Sequence, residues 1–175
     1  GEFAANPVMN GSIDYAINNN KTLHIIGLVS DGGVHSHTSH LKAITSLCKA
    51  KGLTNVLIHA FTDGRDTDPK SGLGFIKELQ LHLNKTVGKI ASISGRYYAM
   101  DRDKRWERVE KAYNAMTEGE GITAESAVSA VENAYIRGET DEFVTPTVII
   151  KKGERAAVIS DKDSVIFFNF RSDRA

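Results

Sequence analysis

The sequence predicts an α/β protein of three layers, with a mixed, mainly parallel sheet between helices. Three observations carry this. Short apolar runs at 23–29, 55–62 and 89–94 alternate with amphipathic stretches, the pattern of βαβ units. Those runs (LHIIGLV, NVLIHAFT and KIASIS) are apolar nearly throughout, as in strands covered on both faces. Three further apolar runs, TPTVIIK, RAAVIS and SVIFFNF, crowd together near the end with KKGE as a turn between two of them, so part of the sheet is expected to be antiparallel.

From the amino end, PVMNGSIDYAINN (7–19) reads as a polar amphipathic helix, and 23–29 as the first strand. HLKAITSLCKAKG (40–52) reads as a helix stopped by Gly52, with Cys48 packing as a small apolar residue on its inner face. After the strand at 55–62, SGLGFIKELQLHLN (71–84) reads as a helix despite its glycines, and the strand at 89–94 comes next. In 103–116, Trp106, Val109, Tyr113 and Met116 fall at i, i+3, i+7 and i+10, which predicts one apolar helix face. In 123–135, Thr123 is the expected N-cap of a helix whose stripe is Ala127, Val128, Val131 and Tyr135. The runs at 145–151, 155–160 and 164–170 close the chain as strands.

Composition bounds the function. A chain of 175 residues, 41% hydrophobic and 25% charged, is one soluble-type domain with a real core. A formal net charge of +0 gives no global attraction to nucleic acid or to an anionic membrane, so any anion affinity comes from local clustering. The single cysteine excludes an intrachain disulfide framework and fits a reducing compartment. No apolar run approaches the length of about 18 residues needed for a membrane span, and no signal-peptide pattern appears. A cytoplasmic location is expected.

Ligands in open α/β sheets bind outside the carboxyl ends of the strands. The segments at those ends are polar and similar in kind: SDGGVHSH after the first apolar run, DGRDTD after the second, GRYYAMDRD after the third and RSDRA after the last. Arg65, Arg96, Arg102, Arg171 and Arg174 are five of the nine arginines, and all lie within a few residues of a strand end. Arginine presents a planar fork of donors suited to carboxylate and phosphate. Their convergence points to a site for a small, multiply charged anion, with the neighbouring aspartates Asp63, Asp66, Asp68, Asp101, Asp103 and Asp173 able to neutralise them. Asp31, His35, His37 and His40 have metal-ligating side chains, but their spacing matches no compact zinc pattern. No metal ligands are therefore assigned. An anion donor or proton carrier among His35 and His37 is the better reading, and His24, His59 and His82, inside predicted strands and a helix, read as structural.

SDGGVHSH, FTDGRDTDPKS, SGRYYAMDRDKRW and NFRSDRA, in this order and spacing, closely resemble the cofactor-independent phosphoglycerate mutases, over essentially all of the chain. The resemblance implies an isomerase of glycolysis and gluconeogenesis that interconverts 3-phosphoglycerate and 2-phosphoglycerate without 2,3-bisphosphoglycerate. In that family one domain resembles alkaline phosphatase and carries a nucleophilic serine and two metal ions, usually manganese; the other, inserted into it, holds the substrate. Residues 1–175 look like that inserted substrate-binding domain alone, a portion of a longer protein, expected to be inactive by itself and monomeric, with the phosphatase-like domain as its partner. No nucleic-acid or membrane partner is implied.

By the same resemblance, His35 contacts phosphoryl or glycerate oxygens, and Arg65 and Asp66 lie against the glycerate. Arg96 and Arg102 hold the carboxylate, and Arg171 and Arg174 hold the phosphate in transit. Asp66 is the group expected to carry a proton to and from the glycerate hydroxyls; His37 reads as a structural residue or as one that supports the ligand contacts from behind. SDGGVHSH is then an active-site loop whose glycines permit close approach to a small anion. Two alternatives stand beside this reading: a stand-alone anion-binding module without catalysis, and a small metal-dependent hydrolase using Asp31, His35 and His37.

Overall fold

A computed structural model describes residues 3–174. The ends of the expected 1–175 domain (Gly1, Glu2 and Ala175) lie outside the described residues. Six strands form one sheet: β1 (Leu23–Leu28), β2 (Val56–Thr62), β3 (Lys89–Gly95), β4 (Ile122–Ala124), β5 (Thr147–Ile149) and β6 (Ser164–Phe167), in the spatial order β4-β5-β3-β2-β1-β6. The helices are α1 (Pro7–Asn18), α2 (Thr38–Lys51), α3 (Gly72–Lys85), the short α4 (Arg96–Ala99), α5 (Trp106–Thr117) and α6 (Ala127–Ile136). They cover both faces of the sheet, so the three-layer α/β/α class with a mixed, mainly parallel sheet is the observed one.

Strand alternation divides the core in two. Leu23 and Ile25 of β1, with Val56, Ile58 and Ala60 of β2, face a large core closed by α1, α2, α3 and α6. Ile26, Leu28 and Phe61 face a smaller one with Met100 and, at its margin, Ala99 and Met116. The helix termini explain their own limits. Asn6 accepts the N–H groups of Val8 and Met9 at 2.9 and 3.2 Å, ahead of Pro7 in the first helical position. Gly52, at φ 82°, ends α2 in the left-handed conformation that glycine favours. Cys48 is fully buried in the large core, which pushes its thiol pKa up to about 12.

Four expectations are corrected. Thr123 is not an N-cap but a residue of β4, a strand that no sequence pattern predicted; α6 is capped by Ser126 in a reciprocal capping box with Ser129. The run at 155–160 forms no strand. The antiparallel pairing joins β5 to β3, while β6 crosses to the far edge and pairs in parallel with β1, so the last apolar runs do not pair with one another. The predicted stripe on α5 faces outward in part: Trp106 and Tyr113 are 70% and 58% exposed, and Ala112 and Ala115 are the buried positions.

Candidate functional site

Because β1, β2, β3 and β6 are mutually parallel, their carboxyl ends share one edge, including the RSDRA segment that sequence reasoning could not place in register. The loops interlock there. Ser36 donates to the Leu28 carbonyl at 2.5 Å, and the N–H of Phe170 donates to the His35 carbonyl at 2.9 Å. A Cβ on Gly32 would stand 2.8 Å from the Asp66 Cβ, so the glycine of SDGG is what lets the first loop lie against the DGRD loop.

At the centre is Asp63, 1% exposed. Its Oδ2 accepts from the Ser30 hydroxyl at 2.6 Å. Its Oδ1 accepts the N–H groups of Arg65 and Asp66 at 3.1 and 3.0 Å and Arg96 Nη1 at 2.7 Å. Burial alone would raise the pKa of Asp63, but these donors reverse that and hold it below the ordinary carboxylate range. The same Arg96 Nη1 reaches Asp66 Oδ2 at 2.8 Å. Asp66 is thus gripped through its backbone by Asp63 and through its side chain by Arg96. Burial likewise opposes the charge of Arg96, and the two aspartates more than restore it.

His35, 4% exposed, lies 3.9 Å from both Asp66 Oδ2 and Asp173 Oδ1. Burial, then the charge of Arg96, lowers its pKa, so the imidazole is neutral near pH 7. His37 does not enter the site; its Nδ1 accepts the Ser39 N–H and caps α2. Asp31, His35 and His37 form no joint ligand set, and among the described residues no group of three His, Cys, Asp or Glu side chains is arranged to hold a metal ion.

Arg65, Arg96, Arg102 and Arg174 line one cavity of about 300 Å³, together with Tyr97, Phe143 and Glu142. Arg171 does not line it and is tied instead to Asp173 at 2.8 Å. Three buried nitrogens at this edge have no hydrogen-bond partner among the described residues: His35 Nδ1, Arg96 Nε and Arg174 Nε. Burial, then the positive charges of Arg102 and Arg96, lowers the pKa of Arg174. Crowded cations with unpaired donors are the chemistry of an anion site.

Sequence reasoning missed several contributors. Arg108 stacks on the Tyr97 ring at 4.0 Å and pairs with Asp101, whose carboxylate also takes the Asp103 and Arg105 N–H groups and so shapes the loop bearing Arg102. Glu142 pairs with Arg65 at 3.2 Å from a short 3₁₀ turn at Asp141–Phe143. Asp101 and Asp63 were visible as polar residues at strand ends; nothing in the local sequence around Glu142 signalled a place in the site.

Comparison with known proteins agrees with this architecture. A family model described as "BPG-independent PGAM N-terminus" matches residues 1–175. The chain is 56% identical to a 2,3-bisphosphoglycerate-independent phosphoglycerate mutase of Clostridium kluyveri, over 100% of this chain and 35% of that protein. It is 58% identical to one from Clostridium perfringens, over 100% of this chain and 34% of that protein. A crystal structure of Leishmania mexicana phosphoglycerate mutase at low cobalt concentration superposes with TM-score 0.84 at 30% identity, covering 95% of this chain and 36% of that one. The chain thus spans about a third of the length of these relatives.

Proposed function

The chain belongs to the family of the N-terminal domain of BPG-independent phosphoglycerate mutases, and from that premise we propose that it is a single substrate-binding domain that grips 3-phosphoglycerate and 2-phosphoglycerate while a phosphatase-like domain of the same longer protein transfers the phosphoryl group. The observation that carries this reading is the convergence of Arg65, Arg96, Arg102 and Arg174, from three strand ends, on one cavity beside a doubly held Asp66.

In this mechanism the arginines orient a substrate with a carboxylate at one end and a phosphoryl group at the other. Arg102 and the free donors of Arg96 take the carboxylate, and Arg174, with Arg171 nearby, takes the phosphoryl oxygens. Arg65 lies against the glycerate. Asp66 is held by Oδ2 and uses its carboxylate to accept and return the proton of a glycerate hydroxyl. Neutral His35 donates to or accepts from the same oxygens. The serine nucleophile and the manganese ions belong to the other domain, so this chain alone binds and does not turn over.

Calorimetric titration of the chain tests the reading. Both phosphoglycerates should bind weakly, with affinity falling as salt rises, because the half-exposed arginines are screened. No binding at millimolar ligand, or micromolar affinity indifferent to salt, overturns it, and so does mutase activity from the chain alone. In the longer enzyme, Asp66→Asn should lower turnover by roughly 10²–10⁴-fold with affinity little changed, the usual weight of general acid–base catalysis. Lost affinity with intact turnover at saturation would make Asp66 an orienting residue.

A further inference from the structure

Asp173 stands among residues proposed to grip the substrate, and it is itself an anion. Its Oδ1 accepts from Arg171 Nε at 2.8 Å, and its Oδ2 accepts from Arg102 Nη1 at 3.2 Å. Its Oδ1 is also 3.9 Å from His35 Nδ1, one of the buried nitrogens without a hydrogen-bond partner among the described residues. A carboxylate flanked by two guanidinium groups and an imidazole occupies a carboxylate subsite. The next residue, Arg174, lines the adjoining cavity. We infer that Asp173 is a tethered competitor: its carboxylate fills the subsite formed by Arg102, Arg171 and His35, and an incoming substrate anion displaces it. The identity of the anion rests on the phosphoglycerate reading; the geometry of the subsite does not.

Two features make Asp173 displaceable where Asp63 is not. Its side chain is 37% exposed on the short 3₁₀ turn Ser172–Arg174, with Arg102 and Arg171 54% and 46% exposed, so water competes for every contact. Asp63 is buried and accepts from Ser30, Arg96 and two backbone N–H groups. A built-in competitor weakens the grip on the ligand and gives the arginines a partner when the ligand turns or leaves. That suits a domain that must hold glycerate between two phosphoryl transfers without trapping it. The opposite role, in which Asp173 pre-orients the arginines and strengthens binding, predicts the opposite sign.

The sign is measured by titrating the chain with inorganic phosphate and, separately, with 3-phosphoglycerate, in wild type, Asp173→Asn and Asp173→Ala. Asparagine keeps the shape and an acceptor oxygen; alanine removes the contact altogether. Both variants should bind phosphate about three- to tenfold more tightly at low salt, the scale of two exposed ion pairs, and the gain should shrink as salt rises. Asp161→Asn removes an exposed charge ahead of β6, at the opposite edge, and should change nothing. Unchanged or weakened binding in the Asp173 variants overturns the inference, as does a gain equalled by Asp161→Asn or a failure of phosphate to bind any variant. If phosphate binding tightens while 3-phosphoglycerate does not bind, the competitor stands and the phosphoglycerate reading falls. If 3-phosphoglycerate binds but no variant tightens it, the reading stands and the competitor falls.

Discussion

Asp163, His24, His59 and Ser92 form a chain of polar groups on the smaller-core face of the sheet, while Ser30, Asp63, Arg96 and Asp66 form another at its carboxyl edge. In the first, Asp163 Oδ2 lies 3.1 Å from His24 Nε2, His24 Nδ1 lies 2.9 Å from His59 Nε2, and His59 Nδ1 lies 2.7 Å from Ser92 Oγ. With both rings neutral, one arrangement gives each bond one proton: Ser92 donates to His59, His59 to His24, and His24 to Asp163. All four ring nitrogens are used. Burial pushes the His59 pKa down to about 3 and lowers that of His24 as well. In the second network Asp63 and Arg96 keep their charges, and Arg96 Nε, like His35 Nδ1 at the same edge, has no partner among the described residues. A buried network closed on itself holds strands together, whereas one left with open donors is prepared for a ligand. Burial of polar groups alone does not distinguish the two; completeness does.

The comparison breaks most sharply at Asp63. Asp63→Asn leaves Arg96 buried, 2% exposed, with one anionic partner in place of two. Removing one member of a buried pair costs about 3–5 kcal/mol, so urea unfolding should show a loss of that order together with lost phosphate affinity. Loss of affinity at wild-type stability would show that Asp63 belongs to recognition and bears little of the fold.

How far this was readable beforehand differs between the two networks. The arginines and aspartates of the carboxyl edge were legible because the parallel-sheet rule says where ligands bind, and four strand ends carried the same chemistry. His24 and His59 were legible as structural only through their position inside apolar runs. Their pairing depends on the lateral register of β1 on β2, where Ile26 lies opposite His59, and no local pattern encodes register. Strand β4 was hidden for a similar reason. Ile122–Ala124 is three residues long and owes its conformation to pairing with β5. Trp106 and Tyr113 show the converse error, since helical spacing sets a face but not which side of it is covered.

The pH dependence of stability separates the networks further. The folded His59 pKa of about 3 lies below its ordinary value near 6.5. Between those values the unfolded chain binds a proton that the folded chain refuses, so stability falls as pH falls from about 6.5. The slope from His59 is roughly 1 kcal/mol per pH unit, and His24, His35 and His82, whose pKa values burial also lowers, act in the same direction. Asp63 acts lower on the scale: its folded pKa is depressed, so its contribution is lost only below the ordinary carboxylate range. Urea unfolding at pH 7 and 5 should therefore show a decline of about 2 kcal/mol from His59 that is missing in His59→Gln. An unchanged slope would mean that His59 takes up its proton as readily in the fold as in the unfolded chain.

Two neighbouring glycines sharpen the difference between building the site and building the chain. In Gly32→Ala the new Cβ meets Asp66 Cβ at 2.8 Å and its carbonyl oxygen at 3.3 Å, so the DGRD loop must move. Overpacking of this kind costs about 1–3 kcal/mol, and anion affinity should fall about tenfold as Asp66 and Arg65 shift. Gly33, at φ 71°, has open space, its nearest neighbour being 3.9 Å away. Gly33→Ala should lower stability by about 1 kcal/mol through left-handed backbone strain and leave affinity nearly intact. Equal losses of affinity in the two variants would separate Asp66 placement from binding.

The smallest effect expected is at Arg102, and its size is informative. Arg102 is 54% exposed and meets Asp173 through a single nitrogen at 3.2 Å, so Arg102→Lys should scarcely touch stability; exposed pairs contribute about 0–1 kcal/mol. Its effect should fall on the ligand instead. Lysine preserves the charge but replaces a planar fork with a compact ammonium, which cannot pair both oxygens of a carboxylate in one plane. Affinity for 3-phosphoglycerate should drop about three- to tenfold, while affinity for inorganic phosphate, which a point charge serves nearly as well, should change less. The ratio of the two affinities is the discriminating quantity, since it cancels any general loss of positive charge. If lysine lowers both alike, Arg102 supplies field and not geometry, and the carboxylate must be held by Arg96 through the Nε that has no partner among the described residues.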